Sequence, residues 1–554
     1  MDHFDLGNHT WQISTTSADA QRWFNLGINW CYCFNQEEGL KCFQKALESD
    51  PQCVMAYWGI AYAAGPFYNN LWRDFSDEEA DHTTRYCREH LQKARDCAAQ
   101  ASTLENNLVE ALAQRFQQPN AVTGDEYDRW DDAYANAMRD IYRDHDTDQD
   151  ITALYVEAIM TRTAWKLWDV KLGIPPDNAD TYEAIDAIER SIALNDSQNK
   201  PQHPAILHLH IHATEMSNEP ESAMRSADIL ATLCPDSGHM NHIPGHTYVL
   251  CGLYEQSKHV CQRAVIANRK YLAYAGPYNF YTTARCHDLH LMMYSCMFLG
   301  QYEPSMAAAD EMCDTLSRDV LSVKGHPQTA ITMEGYYSMK MHVLVRFGRW
   351  QQIIDSPLPD DPELYCVSTA MHHYARGIAF ASLGDIHSAE YEQQQFYQAV
   401  MRIPSNRKFF NNPAHTILGV GEKMLAGEIE YHKGDYESAF NHLRESVHRD
   451  DNLEYTEPWA WMHPPRHALA ALLAEQSQYD EAEEVYRTDL GLNTKLQRCA
   501  QHPDNVWALH GFVECLIHRG DKKELPIYQK KLTQALLKTD GSVTSSCLCR
   551  RKTV

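Results

Sequence analysis

"AQRWFNLGINWCYCFNQEEGLKCFQKALESDP", residues 20–51, decides the fold. Apolar and small residues recur at three- and four-residue intervals through two consecutive segments, the spacing of one buried face on each of two helices. Asp50-Pro51 ends the second segment, because proline lacks the N–H that a helix interior needs. With Ala20 as position 1, Trp23 is 4, Leu26 is 7, Gly27 is 8, Trp30 is 11, Gly39 is 20, Phe43 is 24, Ala46 is 27 and Pro51 is 32. Small residues therefore fall where two helices cross closely, and large ones fill the gaps.

The same frame returns along the chain. "ARGIAFASLGDIHSAE" puts Gly377 at 8 and Ala389 at 20, "AGEIEYHKGDYESAFNHLRES" puts Gly427 at 8 and Ala439 at 20, and "LAALLAEQSQYDEAEEVYR" puts Ala470 at 8 and Ala482 at 20. "MKMHVLVRFGRW" and "LMMYSCMFLGQY" carry the same Gly-x-aromatic turn between helices. This is the tetratricopeptide pattern. A single unit cannot bury its apolar face alone, so stacked neighbours share a core. The expected fold is all-α, a tetratricopeptide-repeat helical solenoid, a right-handed superhelix of helix-turn-helix units. By composition it divides into N-terminal units over 1–65, an irregular helical insert over 66–150, central His-rich units over 151–320, C-terminal units over 321–540 and a flexible tail over 541–554.

Across 554 residues the formal net charge is −26. That excess of acid argues against nucleic acid as a partner, since a phosphate backbone is met by clustered Lys and Arg. The first residues, "MDHFDLGNHTWQIS", have neither a basic n-region nor an apolar h-region, and no apolar run reaches the roughly 18 residues of a membrane span. Seventeen cysteines stand without a regular framework, which predicts reduced thiols and a cytoplasmic chain. Cys547 and Cys549 sit beside basic residues in the tail, a pattern shared by palmitoylated and by frayed polar termini.

The candidate site lies in the middle. Residues 203–246 hold seven of the 29 histidines, where even scatter would place about two. In the repeat frame His208 is position 5, His212 is 9 and Glu215 is 12 of one unit. His239 is 2, His242 is 5 and His246 is 9 of the next, and His287 is 2 and His290 is 5 of the third. Positions 2, 5, 9 and 12 form one stripe of the first helix of a unit, the stripe that lines the concave face of such arrays. Pro244 predicts a helix starting near Ile243, with His246 in its first turn, His242 just before it and His239 in the approach loop.

Neutral imidazoles converging with a carboxylate suit a first-row transition metal, iron, copper or zinc. The expected ligands are His212, His242, His246 and His290, with Glu215 as a fifth ligand or a general base. His239, His287 and His208 are expected to orient the ligands or bind a ligand molecule, with Tyr248 and Tyr281 as pocket walls and His467 as a further ligand-binding group. Glu428, at position 9 of its own unit, faces the same hollow. The competing reading makes each histidine a packing or peptide-binding residue.

The chain resembles a group of large tetratricopeptide-repeat proteins of bacteria and filamentous fungi over nearly its whole length. The resemblance rests on "MAYWGIAYAAGP", "ALYVEAIM", "HIHATE", "GHMNHIPGHTY", "HDLHLMMYSCMFLGQY", "EPWAWMHPPRHALAALL" and "HPDNVWALHG". It implies a helical solenoid with metal-binding or catalytic residues at His212, Glu215, His239, His242, His246 and His290. It also implies, for fungal members, a place beside natural-product pathways. One departure is local: the family's Phe-Asn-His opening reads Phe34-Asn35-Gln36 here. The expected function is a metalloprotein acting on a small-molecule substrate in the concave groove. The alternative is an interaction scaffold that captures a partner peptide.

Overall fold

The computed structural model describes residues 4–323, 328–541 and 543–550. Its first hairpin shows why the opening stretch folds as it does. Ser17 caps Ala18–Tyr32 by accepting the Ala20 N–H, and Asn35 caps Gln36–Ser49 by accepting the Glu38 N–H. A Cβ on Gly39 would stand 2.6 Å from Cys31 Sγ and 2.9 Å from the Gly27 carbonyl oxygen, and one on Gly27 would stand 2.7 Å from the Phe43 ring. Positions 8 and 20 are small because the two helices touch there. In a later unit a Cβ on Gly427 would meet Leu443 at 2.7 Å and the Ala439 carbonyl at 3.1 Å. The frame read from the sequence is thus the packing frame, and the fold is an all-α tetratricopeptide-type array.

The described residues divide into two compact units, Met1–Thr247 with Ile266–Lys270 and Tyr248–Val265 with Tyr271–Val554. In the first, hairpins follow one another: Ala18–Tyr32 with Gln36–Ser49, Val54–Ala64 with Asp77–Asp96, Thr103–Ala113 with Gly124–Asp144, Gln149–Thr161 with Thr181–Ser197, and Pro204–Thr214 with Met224–Leu230. The second contains Tyr281–Phe298 with Tyr302–Thr315, Cys366–Leu383 with Ile386–Arg402, Ala414–Lys433 with Tyr436–Asp450, Pro465–Glu475 with Tyr479–Asp489, and Val506–Arg519 with Leu525–Leu536. Among the described residues the only sheet is the two-stranded pairing of Lys408–Phe409 with Asn412–Pro413. No described helix is long and apolar enough to cross a membrane. The division falls inside the stretch 151–320 that composition marks as one segment, because histidine content follows the site and the units follow packing.

Two other expectations need correction. Residues 66–150 are not an irregular insert. Only a short turn with a Phe67–Asn70 bridge and a 3-10 turn at Trp72–Asp74 precede Asp77–Asp96, and capping boxes Ser76/Glu79 and Ser102/Glu105 start two of the helices that continue the hairpins. Gly124–Asp144 buries Tyr127, Trp130, Tyr134, Met138 and Ile141, a strict helical period. Aromatic residues fill its packing face, so the small-residue signature is missing while the periodicity persists.

The second correction is to the tail, of which residues 551–554 lie outside the described residues. Ser546 is fully buried, its carbonyl accepting from Arg346 Nη2 at 3.0 Å, and Arg550 grips Glu514 through two bonds of 2.7 and 3.0 Å. Cys547 and Cys549 form a disulfide, while the other fifteen cysteines are free thiols.

Replacing Gly39 by Val overpacks the first crossing and should cost about 2 kcal/mol. Gly124 starts a helix with nothing within 4 Å of its missing Cβ. There Gly124→Ala should gain up to about 1 kcal/mol by restricting the unfolded chain. Scanning calorimetry should show the apparent Tm falling for the first variant and holding or rising for the second.

Candidate metal centre

Two stretches of the first unit build the site. Pro204–Thr214 has Pro204 at its first position, where a missing N–H costs nothing, and every residue of the helix is buried. His208 and His212 lie four apart and so share a face. The second stretch begins with Gly238–His242, capped by Ser237 accepting the Met240 N–H, and resumes as Pro244–Leu250. Pro244 therefore starts a helix as expected, but His239 and His242 belong to a short helix of their own before it rather than to a loop.

Five imidazoles close a ring. Centroid separations are 4.9 Å for His208–His212, 4.9 Å for His208–His239, 6.3 Å for His239–His242, 4.6 Å for His242–His246 and 5.7 Å for His212–His246. All five side chains are at most 2% exposed. Phe34 lies against three of them, with ring centroids 4.4 Å from His208, 5.0 Å from His239 and 6.0 Å from His212, and Tyr68 is 5.0 Å from His212. The backbone turns at Phe34 with φ 55°, a left-handed conformation that is strained for an aromatic residue and that delivers its ring to the histidines.

Hydrogen bonds set the tautomers. His208 Nδ1 lies 3.1 Å from the Tyr32 carbonyl oxygen, which only accepts, so Nδ1 donates and Nε2 keeps its lone pair. His212 Nδ1 and His246 Nδ1 each lie 2.7 Å from a different oxygen of Glu215, so both donate to the carboxylate and both Nε2 atoms keep lone pairs. These lone pairs point into company: His208 Nε2 is 3.1 Å from His239 Nε2, and His246 Nε2 is 2.7 Å from His242 Nε2. One ligand atom from each of His208, His212 and His239 lies within 4.8 Å of the others, and the same holds for His212, Glu215 and His246. Burial, reinforced by the neighbouring His212, holds His208 well below the ordinary imidazole pKa and therefore neutral.

The arrangement revises several expected roles. His208 and His239 join His212 as one donor set. Glu215 spends both oxygens on Nδ1–H groups, which makes it a positioning carboxylate rather than a free base. His210, off the stripe, bonds Ser226 Oγ at 2.8 Å. Gln36 is buried, with Nε2 3.4 Å from the Cys31 carbonyl and no hydrogen-bond partner for Oε1. Tyr32, Phe34 and Tyr68 were not singled out from the sequence, and no local periodicity marks them.

The remaining candidates belong to the second unit. There His290 is fully buried between Phe410 and Tyr336, with centroids at 4.9 and 5.4 Å and no hydrogen-bond partner on either ring nitrogen. His287 lies 3.9 Å from Glu457, and the Tyr281 ring packs on Tyr271 at 4.9 Å. Tyr248 is buried, its carbonyl accepting the Leu253 N–H at 2.8 Å. His467 Nε2 donates to Asp489 at 2.8 Å, a carboxylate that also accepts from His502 Nδ1 and Asn505. Glu428 is buried with neither oxygen hydrogen-bonded, and it lines a cavity of ≈ 10 Å³, room for one water, together with His463 and Arg346.

No protein-family model matches the chain, and no curated protein matches it either. Among solved structures, the human IFIT1 dimer with m7Gppp-AAAA aligns over 94% of this chain and 90% of its own at 10% identity and TM-score 0.30. Yeast Tom70 aligns over 93% and 92% at 10% identity and TM-score 0.30. The APC/C hetero-tetramer Cut9-Hcn1 aligns over 96% and 95% at 13% identity and TM-score 0.25. At such scores the fold assignment rests on the hairpins and their packing frame, and nothing about ligands passes from these proteins to this one.

Burial without a partner raises the Glu428 carboxyl to about 8. Between the ordinary carboxylate value, about 4.3, and that pH the folded state holds a proton that the unfolded state has lost. Stability contributed by this group is therefore full below about pH 4.3 and falls as pH rises to about 8. Glu428→Gln keeps the shape without the titration. Its thermal stability should match the parent near pH 4.5 and exceed it at pH 8 by on the order of 5 kcal/mol.

Proposed function

We propose that the first unit binds a transition-metal ion on its histidine ring and that the repeat array serves as the rigid frame for that ion. The observation that carries this reading is the buried convergence of five imidazoles: Nδ1 donors to Tyr32 and Glu215 turn three Nε2 lone pairs inward, two of them accepting from His239 and His242 at 3.1 and 2.7 Å. An ion accepts such lone pairs, and Glu215 supports the scheme by fixing two rings and raising their basicity.

An all-imidazole donor set suits iron, copper or zinc. His208, His212 and His239 would hold the ion, with His242 and His246 beside it. Three protein nitrogens leave a coordination position for water or a small molecule, the pattern of catalytic rather than closed structural zinc sites. Zinc there would make bound water acidic; iron or copper would add redox chemistry. Phe34 and Tyr68 keep bulk water from the rings, and a small-molecule substrate, as the family resemblance implies, would meet a dry site.

The rival function is a docking platform for a partner peptide, the commoner use of such arrays. Its groove residues must reach the peptide, whereas these imidazoles are buried.

Elemental analysis of untagged protein separates the two. A His208→Gln, His212→Gln double variant should lose one equivalent of metal per chain with helicity unchanged by circular dichroism. Glu215→Gln should weaken metal affinity about 10- to 100-fold. Protein that takes up no iron, copper or zinc under any loading condition would return the chain to the docking platform.

A further inference from the structure

Away from the ring, the first unit brings together three donors far apart in sequence. His9 stands in the N-terminal segment, Asp150 opens Gln149–Thr161, and His203 is the N-cap of Pro204–Thr214. His9 Nε2 lies 2.9 Å and His203 Nε2 3.3 Å from the same atom, Asp150 Oδ1, and the two imidazole centroids are 4.1 Å apart. One ligand atom from each of the three lies within 4.8 Å of the others. His203 is buried and Asp150 nearly so, while the His9 side chain is 15% exposed. His9 also lines an open pocket of ≈ 580 Å³ together with Phe4, Asp5, Gln21, Asn25 and Asn29.

We propose that His9, Asp150 and His203 form a second divalent-metal site, separate from the histidine ring and in exchange with solvent. Two imidazoles and one carboxylate are the donor set of mononuclear sites that keep positions open for water or a small oxygen ligand. A carboxylate makes this set harder than the all-nitrogen ring, so it takes a first-row divalent cation such as iron(II), cobalt(II), manganese(II) or zinc. The open pocket beside His9 gives ion and ligand a path in.

Proton positions make this site the weaker one. His203 Nδ1 accepts the Ala205 N–H at 3.2 Å, so its proton sits on Nε2 and is shared with Asp150. For Nε2 to coordinate, that proton moves to Nδ1 and the helix cap is given up; the imidazole stays neutral throughout. The uncapped helix is the one that carries His208 and His212. Tyr32 ties the two sites further, its hydroxyl donating to Asp150 Oδ1 at 2.8 Å and its carbonyl accepting from His208.

The test is calorimetric titration of cobalt(II) into metal-free, untagged full-length protein. The parent should show two classes of one ion each, differing at least tenfold in Kd, the weaker one stripped first by a chelator. His9→Ala, at a partly exposed position, should lose the weaker class and keep the tighter. Asp150→Asn should do the same. The His208→Gln, His212→Gln variant should keep the weaker class. If His9→Ala and Asp150→Asn leave cobalt binding unchanged, the second site does not exist. If binding vanishes entirely in the ring variant, this site is refuted and the ring stands. If binding survives there but depends on His9, this site stands whatever becomes of the ring.

Discussion

The carboxylate of Glu215 is the constraint on which the centre rests. It is 1% exposed, and it takes one imidazole N–H on each oxygen, from His212 four residues after His208 and from His246 in the following repeat. A buried carboxylate is costly unless its lone pairs are met, and two short bonds from oriented donors are the strong kind. Because both donors are Nδ1, both Nε2 atoms are turned the other way, toward the ring. One side chain thus joins two successive repeats, selects two tautomers and aims two lone pairs. A cation among those lone pairs would also offset the negative charge that the carboxylate buries.

The helical frame was legible because its cause is local. Gly27 and Gly39 mark the crossing of adjacent helices, and a contact between neighbours in sequence leaves a short-range pattern. The histidine stripe was legible for the same reason, since His208 and His212, or His242 and His246, are one helical turn apart. What escaped was long-range. Phe34 reaches three histidines across more than 170 residues from a turn whose left-handed φ no residue type there announces. His9, Asp150 and His203 share an oxygen although 141 and 53 residues separate them from Asp150. Residues 66–150 hid their hairpins because Trp130 and Tyr134 occupy faces where the repeat pattern expects small residues.

The second unit shows how the same residue types behave when a network closes on itself. Asp489 accepts from His467, His502 and Asn505, so the histidine N–H groups that face it are met by one carboxylate. His463 is engaged on both nitrogens, by His342 at 2.8 Å and Tyr374 at 3.1 Å. Buried histidine is therefore not in itself a sign of metal in this protein. What sets the ring apart is the number of imidazoles that converge there, with bonds to Tyr32 and Glu215 turning Nε2 atoms toward one another.

The bonds within the ring also fix where the protons sit. With His208 and His246 already donating through Nδ1, the hydrogens in the two Nε2–Nε2 contacts must come from His239 and His242. A cation held there would draw on the Nε2 lone pairs of His208 and His212 and would need no proton from either ring. For His239 or His242 to coordinate through Nε2, the hydrogen there moves to Nδ1 of the same ring. Where the rings are neutral, such a shift within one ring releases no proton. Acid competes only by making imidazolium, which burial already opposes at His208. The carboxylate and carbonyl bonds thus fix in advance, for His208, His212 and His246, the tautomer that a metal would otherwise have to impose.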